Sequence, residues 1–159
     1  MKKSWFYLVI LALSAFALVS CRSTDVGAGG ITVKATELKA DPAATDGRTA
    51  TLTVQFTNEN LFALGYTRST HKLYLAGTLI GQGEVKKPFG IPALNAVSHP
   101  ATLEVRDPAY LRQLAGGSGA NAVPYRMETV LYQTVYEDDH VIKIQSDGTL
   151  DLSAFTATP

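Results

Sequence analysis

Between Thr49 and Thr57 apolar and polar side chains alternate without a break: Ala50, Leu52, Val54 and Phe56 share one parity, and the threonines and Gln55 share the other. Successive side chains of a strand point to opposite faces, so this segment predicts a strand with one buried face. Runs of the same kind cover Ile31–Leu38, Lys72–Ala76, Thr78–Val85, Ala101–Arg106, Tyr125–Tyr136 and His140–Gln145, with a short last one at Thr149–Leu152. Turn-forming residues separate them: Asp46-Gly47, Ala76-Gly77, Pro88-Phe89-Gly90, Asn121 to Pro124 and Asp147-Gly148. Seven or eight short strands at this spacing predict an all-β fold, an antiparallel two-sheet sandwich of about seven strands, with a closed barrel as the alternative.

One segment breaks the pattern. In Asp107-Pro108-Ala109-Tyr110-Leu111-Arg112-Gln113-Leu114-Ala115-Gly116-Gly117, Tyr110, Leu111 and Leu114 share a helical face. Asp107 fits the N-cap, Pro108 the first helical position, and Gly116 a terminating residue with positive φ. A short helix laid against the sandwich follows, since so short a helix needs packing to persist in water.

The first residues carry a different signal. Met1-Lys2-Lys3 is followed by an apolar run from Trp5 to Val19 that only Ser14 interrupts, and then by Leu18-Val19-Ser20-Cys21. The run is shorter than the roughly 20 residues a spanning helix needs and ends in small residues, as a cleaved secretory signal does. Leu18-Val19-Ser20-Cys21 resembles the lipobox of bacterial lipoproteins, which implies cleavage after Ser20 and a lipid on the Cys21 sulfur. Cys21 is the only cysteine in the chain, so no intramolecular disulfide competes for it. Two or more acyl chains give lasting attachment where one does not, so the expected state is anchored to a membrane and not threaded through it.

The organisation that follows is a signal peptide over residues 1–20, a flexible Gly-rich tether over 21–30, a domain over 31–152 and a tail over 153–159. Removing residues 1–20 from the 159 leaves 139, the size of one domain. Without Lys2 and Lys3 the chain keeps 12 basic against 14 acidic side chains and shows no basic stripe, so nucleic acid is not an expected partner.

The order of motifs from Ile31 to Leu152 resembles the bacterial branch of the type 2 late-embryogenesis-abundant family, also called the water-stress and hypersensitive-response domain. The alternating strand leads into Asn58-Glu59-Asn60-Leu61-Phe62-Ala63-Leu64, similar to the family's Asn-Pro-Asn motif. Lys72 to Gly83 is similar to its hairpin, with Gly77 at the turn and Gly83 as the closing glycine, and Ile91-Pro92-Ala93-Leu94 to a loop before the next strand. The matching residues are Asn58, Asn60, Gly77, Gly83, Pro92 and Gly148, all read as structural: asparagine closes turns, glycine takes positive φ, proline stiffens. The departure is Glu59, where the family has proline. The resemblance implies a fibronectin type III-like sandwich with one added helix and a role in desiccation or cold tolerance.

Chemistry is sparse. His71, His99 and His140 fall in no metal-ligand spacing, and Cys21 is committed elsewhere, so no metal and no cofactor is expected. Glu137-Asp138-Asp139-His140 reads as a charged hairpin turn rather than a calcium loop. Ser118, in Gly117-Ser118-Gly119, lacks the strand-to-helix elbow of a hydrolase nucleophile. Gly27 to Gly30 precedes a strand and so opens no phosphate-binding helix. Tyr74, Tyr125, Tyr132 and Tyr136 read as core and rim, not as a ligand platform. The expectation is a non-enzymatic lipoprotein anchored in the cell envelope, at the outer membrane if the host has two since Arg22 follows the cysteine. Its domain would protect client proteins under stress; the alternative is an accessory lipoprotein docking one envelope partner.

Overall fold

The computed structural model describes residues 29–155 apart from positions 45 and 136; the signal segment, Cys21 and the tether as far as residue 28 lie outside the described residues. Nine strands follow in order: β1 (Ile31–Ala40), β2 (Thr49–Asn58), β3 (Leu64–Tyr66), β4 (Arg68–Leu75), β5 (Thr78–Val85), β6 (Phe89–Ile91), β7 (Ala96–Val105), β8 (Val123–Val135) and β9 (Asp138–Leu150). One helix, α1 (Pro108–Ala115), separates β7 from β8.

Seven strands form one antiparallel sheet in the order β1-β2-β7-β5-β4-β8-β9, and β3 pairs with β6 in a two-stranded sheet beside it. The two layers of the sandwich are therefore halves of a single sheet. β1-β2-β7 is joined to β5-β4-β8-β9 through the β5–β7 pairing of Gly81–Glu84 with Thr102–Val105. The sheet curls until β1 packs against β9, and the Ala35 amide of β1 donates to the Tyr125 hydroxyl of β8 at 3.2 Å. The curl brings the two edge strands together and places the fold between the open sandwich and the closed barrel.

Inward parity fills the core. Leu52, Val54 and Phe56 of β2, Leu73 and Leu75 of β4, Leu103 of β7, and Met127 and Leu131 of β8 are fully buried. At the end where β7 finishes, α1 supplies Leu111 and Ala115 to the same core. Asp107 caps the helix by accepting from the Tyr110 amide at 2.9 Å, and Pro108 begins it. Gly116 does not take the positive φ expected of it: φ is −83°, and its amide closes the last turn on the Arg112 carbonyl at 2.9 Å. A left-handed cap is not needed because Gly117 continues the tight path with a bond to the Leu114 carbonyl. Beyond Leu152, residues 153–155 form a 3-10 turn that buries Phe155.

A second correction concerns Asp147-Gly148. These residues lie inside β9, with Gly148 opposite Tyr125, and not in a turn. A Cβ on Gly148 would sit 2.8 Å from the Tyr125 ring, so the glycine leaves room for that ring to pass over β9 toward β1. The preceding turn signal belongs to close approach and not to positive φ.

Candidate functional site

Outward side chains of five neighbouring strands line a groove of about 730 Å³. The pairing registers set them in two rows. One runs Glu104, Gln82, Lys72, Glu128, Gln145; the other runs Thr102, Glu84, Thr70, Val130, Lys143. Lysines 72, 86 and 143 face glutamates 84, 104 and 128 in equal number, so the groove favours neither an anion nor a cation by net charge. Threonine and glutamine fill four of the five remaining places in the rows with hydrogen-bonding groups, and Val130 fills the fifth. Such a surface suits weak, exchangeable contacts, because an exposed ion pair is worth about 0–1 kcal/mol.

Beneath the groove the core holds a polar cluster. Ser69, His71 and Thr129 are buried, with Ser69 Oγ 2.9 Å from His71 Nε2 and Thr129 Oγ1 3.0 Å from His71 Nδ1. Burial lowers the His71 pKa to about 4, so the ring is neutral at pH 7. A serine beside a neutral histidine is the chemistry of an activated nucleophile; here Ser69 and His71 are 0% and 1% exposed, with His71 and Thr129 at the floor of the groove. His71 and His99 both stack near Phe56, at 6.0 and 6.1 Å between ring centroids. The fold thus gathers two histidines that are widely separated in sequence around one ring. The signal was available in β4, where Ser69, His71, Leu73 and Leu75 share one parity. Among the described residues no group of three His, Cys, Asp or Glu side chains could hold a metal ion.

The motif residues fall into three places. Asn58 and Asn60 bolt the chain together where β2 ends. Buried Asn58 donates through Nδ2 to the Phe62 carbonyl at 2.8 Å and to the Ile91 and Pro92 carbonyls at 3.2 Å, while its Oδ1 accepts from the Asn60 amide at 2.9 Å. Asn60 Nδ2 reaches back to the Gly29 carbonyl at 2.8 Å, and Pro92 belongs to the same knot through its carbonyl. Glu59 has its own task there: its amide donates to the Gly30 carbonyl at 2.8 Å, a bond that proline in this position could not make. Gly77 turns the β4–β5 hairpin with φ of 83°. Gly83 faces Leu103 across the β5–β7 seam, and Gly148 accommodates Tyr125.

Removing the Asn58 amide leaves the Phe62 and Ile91 carbonyls and the Asn60 amide without their partner. Asn58→Ala is expected to cost about 2 kcal/mol in urea unfolding, and Asn58→Asp at least as much, since it sets an oxygen against three carbonyls. An Asp variant as stable as the parent would show that the knot is not held by these donors.

The tyrosines offer no open stacking face on this side. Arg126 lies over the Tyr74 ring at 4.3 Å and Arg68 over Tyr132 at 3.6 Å, while Tyr125 is buried; Tyr136 lies outside the described residues. Ser118 is exposed in the loop after α1, and Asp138, Asp139 and His140 are exposed on β9. Among the described residues no helix is long and apolar enough to cross a membrane.

The model of the family described as late embryogenesis abundant protein matches residues 53–154. No curated sequence matches the chain at a significant level. Among solved structures, the chain is similar to a crystal structure of a protein from Archaeoglobus fulgidus, with a TM-score of 0.44 at 11% identity over 75% of this chain and 92% of the other. It is also similar to a solution structure of a protein from Arabidopsis thaliana, with a TM-score of 0.49 at 18% identity over 82% and 91%.

Proposed function

Since the chain belongs to the late embryogenesis abundant protein family, type 2, we propose that it is a non-enzymatic stress-protection module held at the cell envelope by a lipid on Cys21. The observation that carries this reading is the family match, which runs from the middle of β2 to the end of the described fold. The family is associated with dehydration and cold tolerance. The protective part is assigned to the outer surface, where the groove offers balanced charges and hydrogen-bonding groups to transient clients. Contacts that are individually weak release a client when water returns.

The anchoring part is supported by Leu18-Val19-Ser20-Cys21 after an apolar run with a basic start. Acyl chains on Cys21 raise the concentration of the domain beside the membrane, the outer one if the host has two. The packing of β1 against β9, which occupies part of both edges, supports diffuse surface contact over addition of a partner strand.

Membrane-extracted protein is expected to retain more activity of a labile enzyme through drying or freezing than an equal mass of inert protein in the same detergent. Equal protection by the inert protein would remove the proposed role. Intact mass should show a chain beginning at Cys21 with acyl groups, and Cys21→Ala should abolish both the lipid and membrane fractionation. Crosslinking in cells separates a diffuse client set from a single stoichiometric partner; the latter outcome replaces protection with docking.

A further inference from the structure

Four large hydrophobic side chains are exposed among the described residues, and three of them stand together. Leu61 is 84% exposed, Phe62 62% and Leu94 66%; the fourth, Val141, stands apart on β9. Two loops present them, one from β2 to β3 and one from β6 to β7. The asparagine knot joins these loops: the Leu94 amide donates to the Asn60 carbonyl at 3.1 Å, and Asn58 holds the Phe62, Ile91 and Pro92 carbonyls. Ala63, Pro92 and Ala93 are exposed in the same loops. No Asp, Glu, Lys or Arg occurs from Asn60 to Thr67 or from Pro88 to Pro100. A rigidly held apolar tip, with Glu59 at the base of its first loop the one acidic or basic residue in either loop, is unusual on a water-facing surface and marks a contact site.

The position of the chain start identifies the contact. Asn60 Nδ2 grips the Gly29 carbonyl, and the Glu59 amide grips that of Gly30, so the residues before 29 leave from beside Leu61. Cys21 is eight residues before Gly29 and so lies within about 28 Å of the tip even on a fully extended chain. A lipid on Cys21 would hold this end of the domain close to the bilayer. A second copy is a poorer occupant, because three side chains fall far short of the about 800 Å² per partner of a stable interface.

We propose that Leu61, Phe62 and Leu94 seat in the interfacial layer of the anchoring membrane, making the tip a second, non-covalent foot beside the lipid. This rests on the reading of Cys21 as the anchor. Apolar side chains of interfacial elements enter about 5–10 Å into the headgroup and acyl boundary. The domain is then oriented, with α1 at the far end: β7 runs from Ala96, paired with Thr57 near the tip, to Val105, and α1 follows.

The chain supplies a clean probe, since its single tryptophan, Trp5, leaves with the signal peptide. Phe62→Trp and Gln113→Trp, the latter exposed on α1, give processed lipoproteins with one tryptophan at either end. Each is reconstituted into phosphatidylethanolamine–phosphatidylglycerol vesicles with and without lipids brominated near the glycerol. The F62W chain is expected to shift its emission to shorter wavelength and lose about half its intensity to the brominated lipid, as its depth in the interface implies, while the Q113W chain changes little. Chains that carry lipid and float with vesicles but leave the F62W emission unquenched overturn the tip and spare the anchor. A blue shift in F62W that depends on protein concentration and not on vesicles assigns the tip to a second copy and overturns the proposal. A chain without lipid that does not float overturns the anchor and the tip together.

Discussion

Gly81→Ala is expected to be the most destabilising single-methyl substitution in the β5–β7 seam, costing about 3 kcal/mol or preventing folding. A Cβ built on Gly81 would lie 2.1 Å from the Glu104 carbonyl oxygen, 3.0 Å from its carbon and 3.3 Å from the Val105 Cα. All three are backbone atoms of β7 and cannot swing aside as a side-chain end can. The site is tight because β5 carries a bulge there: Leu73 pairs with Gly81 and Tyr74 with Leu79, so Ile80 is the extra residue, and its carbonyl accepts from the Arg106 amide at 2.8 Å. Relief requires β7 to move off β5, and this is where the two halves of the sheet join through four residue pairs. Gly83→Ala is the matched control. Its new Cβ would meet Leu103 Cδ1, a side-chain end that can yield, and the Thr102 backbone oxygen, both at 3.3 Å and only a few tenths of an ångström short of ordinary contact, and the gain in strand propensity offsets part of the crowding. Its change should stay within about 1 kcal/mol. Urea midpoints at unchanged slope measure both; a G81A chain no less stable than G83A would show that the seam opens freely.

Gly83 was legible in the sequence as part of a motif, whereas Gly81 was not, although it has the tighter place. Position alone does not show which of two glycines on the same strand face meets backbone. The strong alternation of β2 and the turn at Ala76-Gly77 were legible because each is decided within a few residues. Asp147-Gly148 misled for the complementary reason: its turn chemistry is local, but its place is decided by the Tyr125 ring on the neighbouring strand. β7 begins at Ala96, five residues before the alternating run read from the sequence, and carries Pro100, a residue that argues against a central strand. The pairing explains its presence there, since β5 reaches only Thr102–Val105, and at Pro100 β7 has a neighbour on the β2 side alone. Of the binding surfaces, Asn58 and Asn60 were visible as turn formers, but not that they fasten three separate segments. The groove arises only when five strands are set in register, which no single segment encodes.

Acid is expected to destabilise the domain in a window set by His71. Its pKa falls from 6.5 to about 4 on folding because burial opposes the charged ring. Above pH 6.5 both the folded and unfolded chains carry a neutral ring, and the stabilisation is complete. Between 6.5 and about 4 the unfolded chain binds a proton that the folded chain refuses, so stability declines as pH falls, and below about 4 the loss levels off. At about 1.36 kcal/mol per pH unit the whole decline is about 3 kcal/mol, or roughly 10 °C in Tm for a domain of this size. Ser69 and Thr129 hold the neutral ring by hydrogen bonds to both nitrogens, and its stacking neighbour Phe56 offers no charge to compensate a proton. Asp151, whose pKa is lowered by hydrogen bonds from Ser153, loses its stabilising charge only below its ordinary 3.8, outside this window. His71→Asn should lower stability at pH 7 by leaving the hydroxyls imperfectly paired, yet flatten the decline between 6.5 and 4. Denaturant titrations of both chains across that range decide the matter: the same slope in the variant would assign the acid sensitivity to other groups. Retention of this neutral ring in the core also sets a condition on any protective role, since the fold is then built for surroundings near neutral pH and weakens as they acidify.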